Sequence, residues 1–105
     1  IIEYALAEGV IPILSTFAFD PSGYNGQNYQ KSIRMNAVIR LLAEEYGVPM
    51  VNFWREVQSV PGSGILPDNA HLNVEAFEIR NQLALEMLRY LRAEVIEPFN
   101  EDESL

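Results

Sequence analysis

His71 is the only histidine in the chain, and it stands three residues after Asp68, one of only three aspartates. Near neutral pH an imidazole is the side chain best matched to taking a proton and giving it back. In a turn-like segment, residues i and i+3 come within hydrogen-bond reach. A carboxylate at 68 can then accept from one ring nitrogen, fix the tautomer and leave the other nitrogen as a base. The same two residues also suit an ordinary loop, with Asp68 in a turn after Pro67 and His71 as a polar residue ahead of a helix. A nucleophile for such a base is not evident among the six serines. Ser63, in Gly62-Ser63-Gly64, lacks a Gly-x-Ser-x-Gly elbow and reads as a flexible loop residue. Ser15, near the C-terminal end of a predicted strand, could face the site.

The elements that must position these residues follow from periodicity. Ile1 to Ala7 reads as a helix already under way, so the chain is expected to be a piece of something longer; Gly9 ends that helix. Val10-Ile11-Pro12-Ile13-Leu14 is a short apolar run of the kind needed by a strand buried on both faces, with Pro12 at its start. Asp20 to Gly26 is dense in turn formers and reads as a loop. From Tyr29 to Tyr46 the spacing predicts a helix, with Ile33, Ala37, Leu41 and Val38, Leu42, Tyr46 as its apolar positions and Gly47 as its stop. Val48 to Phe53 is a second buried-strand candidate. Repetition of helix, glycine and apolar strand is the αβ half of a βαβ crossover, so a parallel α/β sheet is the expected architecture. Val60 to Asn73 is a loop, Asn73 an N-cap and Val74 to Glu97 the last helix, ended by Pro98. Phe77, Leu83, Leu85, Met87, Leu88, Leu91 and Val95 are expected on its apolar side.

Composition narrows the partners. The 105 residues are 49% hydrophobic and 21% charged, enough apolar matter for one core. Fifteen acidic against seven basic side chains give a net charge of -8, which argues against a nucleic-acid partner. Glu97, Glu101, Asp102 and Glu103 account for four of those acids, and residues 98–105 read as an acidic disordered tail behind a single domain at 1–97. Zero cysteines and one histidine exclude thiolate and multi-His metal centres, and no cofactor is implied. No apolar run reaches the ~20 residues of a membrane span. Ile1 to Ala7 lacks the features of a signal peptide, and the destination of the protein stays open. Tyr24, Tyr29, Phe17 and Phe19 either line a substrate cleft or close over the core, the second being the ordinary role of such aromatics. Arg80, Arg89 and Arg92 read as solvated or paired with Glu78, Glu86 and neighbours. Adjacent Glu44 and Glu45 point different ways on a helix, which does not suit a glycosidase-like pair.

Asp68-Asn69-Ala70-His71-Leu72-Asn73 resembles the Asp-x-x-His block near the C-terminus of SGNH/GDSL-type hydrolases. Ala76-Phe77 stands where that family often has Gly-Tyr. Ile1 to Thr16 is similar to the helix and strand after the family's Asn block, and Asn36 to Val48 to its next helix. The likeness extends to Arg92. It implies a three-layer α/β/α domain with a parallel sheet, flavodoxin-like, of which only the C-terminal portion is present here. It also implies a serine ester hydrolase acting on a small-molecule ester, carbohydrate or lipid, in which Asp68 orients His71. The Gly-Asp-Ser block and the oxyanion-hole blocks are absent from this sequence, so the fragment alone is expected to be inactive and its partner would be the missing N-terminal half of its own domain. The other reading is a non-catalytic α/β interaction module on the same scaffold, since fold does not fix function.

Overall fold

The computed structural model describes residues 1–19, 26–66 and 71–103, with backbone alone for 26–29 and 101–103. Helix α1 (Ile2–Ala7) leads to strand β1 (Leu14–Ser15), α2 (Gly26–Tyr46), β2 (Met50–Val51) and α3 (Phe53–Glu56). A 3-10 turn (Pro61–Gly64) then precedes α4 (Val74–Leu91), a wide π turn (Arg92–Ile96) and α5 (Glu97–Glu103). Both glycine stops work as read. Gly9 and Gly47 take φ of 75° and 64°, and the amides of Val10 and Val48 reach back to the carbonyls of Ala5 and Ala43, at 2.9 and 3.1 Å. This is the bond pattern of a Schellman cap, and it launches an extended segment after each helix.

The expected three-layer α/β/α sheet domain is not what the chain forms. The described residues are mostly helical, and their sheet is one parallel pair of two-residue strands, Leu14 opposite Met50 and Ser15 opposite Val51. The runs Val10 to Leu14 and Val48 to Phe53 are strand for only part of their length. Two prolines explain the short ladder. Leu14 N–H donates to the Pro49 carbonyl at 3.0 Å and Thr16 N–H to that of Val51 at 3.1 Å. In this register the preceding rung needs amide protons on residues 12 and 49, and both are proline. Toward the C-terminus Asn52 turns the chain into α3 instead, its side chain accepting from the Arg55 amide at 3.3 Å. Nor is the first run buried on both faces, for Val10 is 55% and Ile13 39% exposed.

The core lies elsewhere. Phe53 and Val57 of the α3 region, Ile65 after the turn and Ala76 of α4 are buried together with Ala18, and Val60, Leu72, Ile79 and Leu83 pack against them. On α4 the inward stripe is therefore Ala76, Ile79, Leu83, Met87 and Leu91, while Phe77, Leu85 and Leu88 are exposed, as is Val95 in the π turn. On α2 the inward stripe is Ser32, Asn36, Ile39, Ala43 and Tyr46, one step round from the apolar positions Ile33, Val38 and Leu41, which are left exposed. The radius of gyration is 16.4 Å, against about 13 Å for a compact chain of this length, and the extents are 56 × 26 × 17 Å.

Pro98 does not end the last helix. A π turn over Arg92–Ile96 widens the spiral, and Pro98 becomes the second residue of α5, where a missing amide proton costs little. The wide turn also sets residues i and i+5 side by side, and Arg92 Nε donates to Glu97 Oε1 at 2.9 Å. The acidic segment is consequently helical as far as Glu103.

The Tyr46 hydroxyl donates to the Glu3 carboxylate and ties α1 to the end of α2. That hydrogen bond, then desolvation and the charges of Glu3 and Glu45, raise the Tyr46 pKa above the ordinary tyrosine value of 10.0. The neutral phenol is the bonded form, so the tie holds below pH 10 and is lost as pH rises through the raised folded value. In a tyrosinate absorbance titration, Glu3→Gln should move one tyrosine downward; an unchanged curve would show that the contact is not kept in solution. The proline explanation has its own check. In Pro49→Val the new amide should donate to the Pro12 carbonyl and become protected in hydrogen exchange, whereas exchange at the free-amide rate would mean that something else limits the ladder.

Candidate functional site

His71 is positioned by a closed backbone circuit at the foot of α4. Leu66 N–H donates to the His71 carbonyl at 2.8 Å, Ile65 and Leu72 form an antiparallel bridge, and Asn73 N–H donates to the Gly64 carbonyl at 2.9 Å. Asn73 then does two jobs. Its Oδ1 accepts from the Ala76 amide at 3.0 Å, capping α4 as its sequence position predicts, and its Nδ2 donates to the Pro61 carbonyl at 2.8 Å. Helix start and 3-10 turn are thus held by one side chain. Leu72 packs on the core while its neighbour His71 is exposed.

The circuit depends on Gly64. Its φ is +88°, and a Cβ there would lie 3.0 Å from the Val57 Cβ and 3.1 Å from the Ala76 Cβ. No other residue type allows the turn to sink that far between α3 and α4. Ser63, expected as a loose loop residue, is part of this ordered turn, with φ of 51° and its amide donating to the Val60 carbonyl at 3.1 Å. It still follows no strand and opens no α-helix, so it has no elbow geometry.

The structure describes one member of the Asp68–His71 pair, since Pro67, Asp68, Asn69 and Ala70 lie outside the described residues. Ser15 is exposed, and its hydroxyl donates to the Thr16 carbonyl at 2.7 Å. It lines an apolar groove of about 300 Å³ with Ile13, Val51, Phe53, Leu83 and Met87. Of the four aromatics, Phe19 is 1% exposed and stacks on Trp54 at 5.9 Å, meeting Phe17 edge-on at 6.4 Å. Phe19 thus closes over the interior; Tyr24 and the side chain of Tyr29 lie outside the described residues. Arg80 sits over the Phe77 ring at 4.8 Å. Glu86 accepts from Gln82 at 2.9 Å, not from an arginine. Among the described residues no three His, Cys, Asp or Glu side chains converge as a metal site, and no helix is long and apolar enough to cross a membrane.

Two polar devices were not anticipated from the sequence. Buried Thr16 donates from its hydroxyl to Asn52 Oδ1 at 3.1 Å and accepts from the Trp54 amide at 3.0 Å, locking the end of β1 to the start of α3. Asn36 of α2 clamps the backbone of Phe17, accepting from its amide and donating to its carbonyl, each at 3.0 Å. Asn52 ahead of Phe-Trp-Arg-Glu carried a readable cap signal; Asn36 in mid-helix carried none.

No protein-family model, no curated protein and no solved structure matches the chain.

If the close approach of Gly64 holds the circuit, Gly64→Ala must cost more than Gly9→Ala. Both add a Cβ at positive φ, but Gly9 faces open space. Left-handed alanine costs about 1–2 kcal/mol at either site, and crowding two buried Cβ atoms adds about 1–3 kcal/mol at Gly64. Urea unfolding of the two variants checks this; equal losses would remove Gly64 from its role.

Proposed function

We propose that this chain is the C-terminal, acid-base portion of a serine ester hydrolase, with His71 as the base and Asp68 as the residue that orients it. The observation that supports the reading is the setting of His71. It is an exposed imidazole held by backbone hydrogen bonds on both flanks, directly before a capped helix, with a carboxylate three residues earlier in the sequence. Loops fixed on ordered elements are where such groups are commonly carried.

In this reading His71 takes the proton from a serine hydroxyl as the oxygen attacks the ester carbonyl carbon. The resulting imidazolium gives that proton to the departing alcohol. Water then repeats the two steps on the acyl-enzyme and restores the serine. None of the six serines here has an elbow setting, so the nucleophile and the oxyanion donors are assigned to sequence outside these 105 residues. The substrate is a small-molecule ester, and no cofactor takes part.

The test uses the full-length gene product. His71→Ala should lower kcat toward p-nitrophenyl esters by about 10³–10⁴-fold with KM little changed, and Asp68→Asn by a similar factor. A fluorophosphonate should label a serine outside this chain, ahead of it in a Gly-Asp-Ser setting. The 105 residues alone should not exceed the uncatalysed rate. Full activity in His71→Ala overturns the assignment of His71 as the base, and no activity in the unaltered gene product leaves the non-catalytic module, which the extensive exposed apolar surface also suits. Burst kinetics from the isolated chain, abolished by His71→Ala, would relocate the nucleophile to one of its own serines.

A further inference from the structure

Asn73 does more than start a helix. Serine, aspartate and asparagine cap helix N-termini about equally well, since each needs only one oxygen that accepts from a first-turn amide. At position 73 that oxygen is Oδ1, which accepts from the Ala76 amide at 3.0 Å. The other end of the same side chain meets a group of the opposite kind: Nδ2 donates to the Pro61 carbonyl at 2.8 Å, 12 positions back in the chain. A backbone N–H on one side and a backbone C=O on the other fix which end of the amide is which, and a short amide alone satisfies both. Aspartate would set a second oxygen against the Pro61 carbonyl, and serine is too short to span the two partners. The cap admits all three residues; the Pro61 carbonyl admits asparagine only.

The place of the second bond gives its consequence. Around the Ile65–Leu72 bridge, residues 64–66 and 71–73 run antiparallel, closed by Leu66 N–H to the His71 carbonyl and by Asn73 N–H to the Gly64 carbonyl. Those two bonds tie the segments to each other. Nδ2 of Asn73 reaches past them to the start of the 3-10 turn, while Oδ1 holds the first turn of α4. One planar amide thereby sets the turn against the helix, two residues from the imidazole. Gly64 permits the close approach, and Asn73 selects the placement within it. We infer that Asn73 is a positioning residue for His71: through the Pro61 carbonyl it holds residues 71–73 in the placement from which the imidazole takes its proton. This rests on the reading of His71 as a base, and it separates the residue's work in the site from its work as a cap.

The test uses the full-length gene product carrying Asn73→Ser or Asn73→Asp, each of which keeps a capping oxygen and loses the donor to Pro61. In both, kcat toward p-nitrophenyl esters should fall about tenfold, with KM within about twofold of the parent and far-UV circular dichroism unchanged. A cap and nothing more predicts the opposite, because serine and aspartate both restore a cap. The imidazole Cε1–H resonance of His71, identified by its loss in His71→Ala, is a readout independent of turnover. It should be displaced or doubled in Asn73→Ser, a change that adds no charge. Parental kcat or an undisturbed resonance in Asn73→Ser overturns the positioning role and leaves His71 as the base. Loss of helix in both variants overturns it too, since the residue then serves the fold alone. If the unaltered gene product hydrolyses no ester, the hydrolase reading fails, and the resonance in Asn73→Ser still decides whether Asn73 places the imidazole.

Discussion

The absence of one carbon atom at position 64 governs the arrangement around His71. Val57 and Ala76 stand so close to Gly64 that a Cβ would contact both at about 3 Å, and only then can its carbonyl receive the Asn73 amide. That bond fixes where α4 begins, and the start of α4 fixes where the Ile65–Leu72 bridge closes. The backbone of His71 is thus fixed by the packing beneath it.

The strand pair has a different logic. Pro12 and Pro49 erase the same rung, and Asn52 with Thr16 converts the next position into a helix start, so the sheet is stopped at both ends by specific residues. What remains is a junction where α2 and α4 meet the chain on opposite faces. Buried Thr16 has both its hydroxyl roles filled there, while the indole N–H of neighbouring Trp54 is buried with no hydrogen-bond partner among the described residues.

Local signals in the sequence carried further than architectural ones. The caps formed by Gly9, Gly47 and the Asn73 side-chain oxygen use bonds that span five positions or fewer, and each performs as its type and place predict. The strands could not be bounded the same way. Whether Pro12 interrupts a ladder depends on which residue faces it 36 positions away, and periodicity says nothing about register. The apolar stripes held at Leu83, Met87 and Leu91 of α4 and at half-buried Leu42 and Tyr46 of α2, and failed at the remaining positions for a related reason. On α2 the sequence offers Ile33, Val38 and Leu41 as a buried face, yet the helix turns Ser32, Asn36 and Ala43 inward, because the Asn36 amide answers the backbone of Phe17 and small residues let α2 lie close. Hydrophobic spacing shows that a helix has an apolar side; it does not show that this side is the one covered within the same chain. Of the candidate pair, His71 could be followed into the structure, and Asp68 falls outside the described residues.

These two regions differ in how far along the chain their contacts reach. From Phe53 to Leu83, the core residues that support the His71 turn are joined by a 3-10 turn, a bridge and a helix cap, almost all between residues within about thirty positions, a short loop to close. β1 by contrast depends on β2, 36 positions away, and on the single Asn36 clamp. Closing the longer loop is repaid by two short rungs and one hydroxyl network, where the shorter loop gains Val57, wholly buried, and its neighbours. The turn that carries His71 therefore rests on buried apolar packing, and the strand pair rests on directional bonds from Thr16, Asn36 and the backbone.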